Sequence, residues 1–366
     1  MLGCLATLGS GFKFQVARFT FLPATLRHIK TETSPQNPEL KVPVDLSRWK
    51  RFRYRIEEAG CLFLKWFIPR LSRLSCMKLG ILFGDLAYFI DGRGRAVAFS
   101  NLECAFGDQY TERQRRWIAR LSYRNFVRTM FDLFWAPPLV GGGYKKYMQH
   151  SGFRELRERM DREKRGAVFM CIHEGNWEWA SLTGGVMGFY NFTVTEEFKN
   201  PRLNAIFSGL RELSGQTMIP QENSILRMLK IIKRGGSTGI LIDLNLRPSQ
   251  AATVIEGFGM KMCVPVMHAI LAQRVNAILC PAETEPHNDG TCRVTVYPNV
   301  DFPPDASLQQ IAQQCWDHFE PFLRRRPDLW LWPYKHFRYK PKDATRPYPE
   351  YARESSKFEK LMRSLQ

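Results

Sequence analysis

Three short apolar runs constrain the fold of this chain more than any other feature: GAVFMCI (166–172), TGILIDL (238–244) and NAILCPAE (276–283). Each is of strand length. Segments with helical periodicity separate them, 203–213 and 222–234 before the second run and 263–274 before the third. Strands alternating with helices build a largely parallel sheet covered on both faces. CRVTVYP (292–298) follows the turn residues Asn288, Asp289 and Gly290 and reads as the return strand of a hairpin. The expected fold class is therefore α/β, a mixed, largely parallel sheet flanked by helices, with a helical segment in front of it.

The 366 residues accommodate one large α/β domain with appendages as well as they do two domains. Residues 1–45 read as an N-terminal extension and linker, the stretch TETSPQNPELKVPVD (31–45) being interrupted by prolines. The first thirty residues contain no acid. A targeting peptide, an amphipathic surface segment and an overlong start all fit them. From 46 to about 150 the pattern is helical. Thr111 is placed to N-cap a helix over 111–135 that Pro137 and Pro138 stop, and GGGY (141–144) marks a joint. The α/β domain then spans 151–345, and 346–366 reads as a C-terminal tail.

The formal net charge of +18 calls for a polyanionic partner: nucleic acid, an anionic membrane surface, or an acidic or phosphorylated substrate. The nine cysteines are dispersed with no CxxC pair, which argues against a disulfide framework and a zinc site and points to a reducing, cytoplasmic setting. No uninterrupted apolar stretch reaches the length of a membrane span. AGCLFLKWFIP (59–69) is broken by Lys65 and LGILFGDLAYFI (79–90) by Asp85. Just before them RWKRFRYRIEE (48–58) interleaves basic residues with Trp49, Phe52 and Tyr54. That combination suits an element lying in a membrane interface; a solvated basic helix covering a core is the other reading.

Several catalytic patterns fail. GGSTG (235–239) has the spacing of a nucleophile elbow in the inverted context, after a helix and before a strand. HEGNW is not HExxH, since Trp177 stands four residues beyond His173. GRG (92–94) lacks the third glycine of a dinucleotide loop, and no Walker loop is present.

The stretch FMCIHEGNWEW (169–179) switches abruptly from apolar to polar. Asn176 is a good N-cap for a helix starting at Trp177, and Glu178 in its first turn favours the positive helix end. These assignments leave His173 unexplained. On one continuous helix His173 and Glu178 would diverge by roughly 140°. With His173 in the loop and Glu178 on the first turn the two can meet, and a carboxylate there would orient the imidazole as a general base. Open α/β sheets carry their chemistry at such strand ends.

HEGNWE resembles the HxxxxD/E motif of the glycerolipid acyltransferase superfamily, in particular the branch of the lauroyl and myristoyl acyltransferases of lipid A biosynthesis. The similarity extends over about 50–341. It takes in AFSNLECAFGDQYTERQRRWIARLSYRNF (98–126), NPRLNAIFSGLRELSG (200–215), ILIDLN (240–245), FGMKMCVPVMHAILAQRVNAILCP (258–281) and RRRPDLWLWPYKHFRYKP (324–341). The resemblance implies transfer of a fatty acyl group from a thioester, on acyl carrier protein or coenzyme A, to a lipid hydroxyl. It implies no further cofactor and no metal. His173 and Glu178 would be the catalytic pair. Arg211, Asp243 and Asn176 would be substrate-site residues: Arg211 and backbone amides near Asn176 would bind phosphate or the developing oxyanion, and Asp243 would hold Arg211 or a basic neighbour in place. For Arg211 and Asp243 a structural ion pair is the alternative. Trp330 and Trp332 read equally as core or interface anchors and as substrate contacts. The implied partners are a membrane lipid acceptor, the thioester donor and an anionic membrane surface, at the cytoplasmic face of the cell inner membrane. The basic residues Arg324–Arg326, Lys335, Arg338, Lys340 and Lys342 would meet headgroups or carrier protein.

The chain departs from the family pattern at Leu244, which follows Asp243 in place of a polar residue, at RPSQAATV (247–254) and at Tyr334, where histidine is common. These bear on the acceptor and donor more than on the reaction. A hydrolase using the same pair with water and a catalytically silent relative remain alternatives. A nucleic-acid binder would want its basic residues on one recognisable module, and none is present.

Overall fold

The computed structural model describes residues 47–189, 191–195, 198–220, 224–249, 251–298 and 300–365. The extension and linker read at 1–45 lie outside them. Four helices come first: α1 (Arg48–Phe67), α2 (Arg73–Ile90), α3 (Gly92–Phe106) and α4 (Glu112–Phe134). As expected, Thr111 caps α4, in a capping box with Gln114. The helix ends at Phe134, before a short turn over Ala136–Pro138. α2 approaches α4 closely because Gly84 has no side chain: a Cβ there would lie 2.5 Å from Arg124 Cα. Beside it Asp85 pairs with both Arg120 (2.7 Å) and Arg124 (2.6 Å).

The α/β part follows: β1 (Met148–Ser151), α5 (Phe153–Glu163), β2 (Ala167–Cys171), α6 (Trp177–Val186), β3 (Asn191–Thr195), α7 (Pro201–Arg211), β4 (Thr217–Pro220), α8 (Ser224–Lys233) and β5 (Ser237–Leu241). After a hairpin, β6 (Ala252–Gly257) and β7 (Met260–Pro265), come α9 (Met267–Val275), β8 (Ile278–Pro286), β9 (Cys292–Val296), α10 (Leu308–Arg325) and α11 (Ser356–Arg363). Seven strands form one sheet in the order β1-β9-β8-β2-β5-β3-β4. Every pairing is parallel except β8 with β9, the hairpin expected from the Asn-Asp-Gly turn. The mixed, largely parallel α/β class is thus the observed one.

β2 is central, and its alternate residues feed two cores. Val168 and Met170 join Leu279, Trp316, Phe319 and Trp330 on one face. Ala167 and Phe169 join Val127, Phe131, Leu156 and Leu182 on the other. One expectation is corrected here. Periodicity over 263–274 reads as helix throughout, but 263–265 completes the β6–β7 hairpin and the helix starts only at Met267. MKMCVP is apolar enough to satisfy either period, and its antiparallel partner β6 decides.

The segment read as a tail packs against the rest. Phe358 of α11 is fully buried with Val254, Cys263 and Tyr339. Arg346 donates to the Phe258 carbonyl, and the Tyr351 hydroxyl donates to Asn101 Oδ1.

Candidate active site

The parallel pairing of β2 with β5 creates the site. Cys171 and Leu241, their last residues, lie in register, so the residues two beyond each strand, His173 and Asp243, emerge side by side. Asp243 Oδ1 is 2.8 Å from His173 Nδ1, and Oδ2 accepts from the His173 backbone N–H at 2.9 Å. A third donor, Trp330 Nε1, reaches Oδ2 at 2.9 Å. Asp243 is fully buried, whereas the His173 side chain keeps 15% exposure. Burial pushes the Asp243 carboxyl up, but the His173 ring and backbone N–H outweigh it and bring the pKa down to about 2. An ionised Asp243 places the proton on Nδ1, leaving the Nε2 lone pair for a substrate.

The turn after His173 is held from three sides. Gly175 sits at φ +51, where a Cβ would lie 2.0 Å from the Thr284 carbonyl oxygen, so glycine is required. Its N–H donates to the Leu329 carbonyl, and its carbonyl accepts from Asn125 Nδ2 (2.8 Å) and Thr129 Oγ1 (2.9 Å). From β8, Thr284 Oγ1 accepts the Asn176 N–H at 2.8 Å. Asn176 caps α6 as expected, its Oδ1 accepting from Trp179 N at 3.1 Å. Its Nδ2 donates to Asp132, which is paired with the buried Arg73.

Glu174 points into the interior. Its Oε1 accepts from Thr284 N at 2.8 Å, while Oε2 is buried with no partner among the described residues. Burial holds this carboxyl well above the usual range, against the Thr284 hydrogen bonds. Two neighbouring carboxyls are therefore pushed in opposite directions, Asp243 down and Glu174 up.

This geometry corrects three readings. The carboxylate on the imidazole is Asp243; Glu178 instead binds Arg211 through Nε (2.9 Å) and Nη2 (2.7 Å). On the first turn of α6 Glu178 faces the end of α7, which is why the spacing of five does not bring it onto the ring. Asp243 accordingly holds His173 and not Arg211. Asn176, 1% exposed and committed through its N–H, Oδ1 and Nδ2, is a scaffold residue with no surface for a substrate. Burial acts against the Arg211 charge, and Glu178 more than offsets it, raising the pKa. Nη1 of Arg211 stays uncommitted among the described residues. Trp330 and Trp332 are both fully buried, which settles them as interior residues.

Sequence reasoning missed Asn125, Thr129, Asp132 and Thr284. The first three belong with Ser122 to a row spaced 3, 4 and 3 on α4, all buried and all bonded to the site turn or the C-terminal motif. A polar stripe at core spacing was the available signal. The basic C-terminal cluster is in part neutralised, since Arg324 pairs with Glu320 and Arg326 with Glu285 and Asp328. A cleft of about 360 Å³ lined by Glu283, Arg293, Tyr297, Arg325 and Arg326 does not include His173.

A buried carboxylate behind a partly exposed histidine, at the carboxyl edge of a parallel sheet, is an arrangement chemically suited to proton abstraction. The family profile for bacterial lipid A biosynthesis acyltransferases matches residues 52–339, well over half of the chain. The protein belongs to that family and is an acyltransferase. No curated protein matches the chain.

Proposed function

We propose that this acyltransferase moves a fatty acyl group from a thioester, on acyl carrier protein or coenzyme A, to a hydroxyl of a lipid A precursor or a related anionic lipid. His173 Nε2 takes the hydroxyl proton as the oxygen attacks the thioester carbonyl. The imidazolium so formed is stabilised across Nδ1–H by Asp243. The tetrahedral oxyanion then collapses, the C–S bond breaks, and the proton on Nε2 passes to the departing thiolate. No covalent enzyme intermediate is required. Glu178 holds two nitrogens of Arg211 and directs the third, Nη1, toward an anionic group of the acceptor, where guanidinium geometry suits phosphate.

The reaction takes place at a membrane surface, the cytoplasmic face of the inner membrane. No described helix is long and apolar enough to cross a membrane. α1 instead exposes Trp49, Phe52, Ile56, Phe63 and Trp66 along one helical stripe, while Tyr54, Glu57 and Cys61 are buried on the opposite side. α2 adds exposed Leu82, Leu86 and Phe89, and Trp117 of α4 lies under the Arg124 guanidinium. Exposed aromatic residues among arginines match an anionic interface.

The observation that carries the proposal is the His173–Asp243 couple within the family match. The test uses purified protein, an acyl thioester, and paired phosphorylated and dephosphorylated lipid A precursors. Acylated lipid from wild type and none from folded His173→Ala is the expected result. Equal turnover in both would overturn the mechanism. Free fatty acid without acylated lipid would identify a hydrolase instead. Equal rates on the two acceptors would remove the phosphate-binding role of Arg211 alone.

A further inference from the structure

Residues 329–331 run alongside the catalytic turn. Glu174 and Trp330 form an antiparallel bridge, and the Leu331 N–H donates to the His173 carbonyl at 3.2 Å. This backbone pairing brings the Trp330 indole N–H to Asp243 Oδ2. The indole is fully buried, stacked on His336 with ring centroids 3.8 Å apart and packed by Phe258 at 5.6 Å. Its N–H is therefore a donor of fixed direction, and unlike imidazole it neither accepts nor titrates.

The two oxygens of Asp243 are used unequally. Oδ2 takes two N–H donors, from His173 backbone and Trp330, while Oδ1 alone faces the imidazole. The indole holds the carboxylate through the oxygen that does not face the imidazole and draws charge toward Oδ2. Resting on the assignment of His173 as base, we propose that Trp330 is a positioning residue of the acyl transfer, its one indole N–H setting both the orientation of Asp243 and the basicity of His173 through it.

Removing that N–H leaves a buried carboxylate with fewer donors. It becomes a stronger acceptor for the imidazolium, so the acid limb of kcat/KM moves to higher pH, and a carboxylate freer to rotate lowers kcat. The other titratable groups around the pair are His336, stacked on the indole, Cys171 at the end of β2 and Glu174 beyond it. The bicyclic replacement keeps a ring for His336 to stack on.

The test replaces Trp330 by β-(3-benzothienyl)alanine, which keeps the bicyclic shape and exchanges N–H for sulfur, together with W330F. Trp332 is the matched control: it is equally buried, but its indole N–H donates to the Pro327 carbonyl. The expected result at 330 is a kcat lower by about tenfold, the loss of one charge-assisted hydrogen bond, with KM within about twofold and the acid limb raised. The same replacement at 332 leaves the pH profile in place. A benzothienylalanine-330 enzyme with wild-type kcat and pH profile overturns the proposal. A second readout needs no variant at 330: in wild-type protein the Trp330 indole N–H resonance should shift as His173 titrates, and that of Trp332 should not. A Trp330 resonance that stays put likewise overturns it. Failure of the underlying assignment is separable, because it would appear as turnover in His173→Ala whatever happens at 330.

Discussion

Asp243 grips His173 at two points, its Oδ1 on the ring nitrogen Nδ1 and its Oδ2 on the backbone N–H of the same residue. One side chain thereby fixes both where the histidine sits and which way its ring faces. Asp243→Asn should keep a bond to the backbone but offer no charge to the imidazolium and favour the wrong tautomer. A kcat loss of about 10³–10⁴ is expected, as for the orienting aspartate of a serine-protease triad. Steady-state kinetics on folded protein measures it, and a loss under tenfold would remove Asp243 from the reaction.

Glu178 and Arg211 should behave as a buried pair. Glu178→Ala leaves an unmatched guanidinium and is expected to cost about 3 kcal/mol of stability. The double variant Glu178→Ala/Arg211→Ala should be more stable than Glu178→Ala alone. Arg211→Lys keeps charge but cannot make the two-point contact, so it should lose activity as well. Urea unfolding of wild type, Glu178→Ala, Arg211→Ala and the double variant tests the coupling, and additive losses would deny it.

Asn125 is buried in the helical layer, yet it should matter to turnover. Asn125→Ala strips one donor from each of the Gly175 and Leu329 carbonyls, at a cost of about 1–3 kcal/mol. Combining it with Thr129→Val removes both side-chain donors from the Gly175 carbonyl, and kcat should fall further than either single change achieves. Rates insensitive to the double variant would show that the turn holds itself.

Membrane attachment should depend on the exposed stripe of α1. Replacing Phe63 and Trp66 by serine is expected to lower flotation with vesicles containing anionic phospholipid. High salt should release wild type only in part, because salt screens charge and leaves apolar insertion intact. Complete release by salt would assign binding to charge alone.

Acid should destabilise the fold through two buried histidines. Burial brings both His268 and His336 down to about 4. Below about pH 6.5 the unfolded chain takes up protons that the native state refuses, so stability is lost as pH falls from about 6.5 to 4. Neither ring nitrogen of His268 has a partner among the described residues. His268→Leu should therefore raise the thermal midpoint at pH 5 more than at pH 7.5. An equal change at both pH values would contradict the assignment.

Local sequence made the catalytic turn legible because its signals are local. The apolar run of β2, the Asn176 cap and the helix beginning at Trp177 all lie within a dozen residues. The partner of His173 was not legible, because that contact depends on the register of β2 with β5 across some seventy residues of sequence. Spacing within HEGNWE suggested Glu178, five residues along the chain, where the fold supplies Asp243 from the end of another strand. The β6–β7 hairpin escaped for a related reason: its strands carry no strict alternation, and only their mutual pairing separates them from helix.

The family match stops at residue 339, but the folded body continues beyond it. Asn101 gives its Nδ2 protons to the Trp332 and Tyr334 carbonyls and accepts from Tyr351, so one asparagine ties the C-terminal motif to the last segment of the chain. A gene cut where the homology ends would lose Tyr351 and the buried Phe358, and would bare the apolar hairpin that Phe358 covers. Expression vectors for this enzyme should be designed on the extent of its packing, with tags placed after α11, because the border of similarity falls inside the fold.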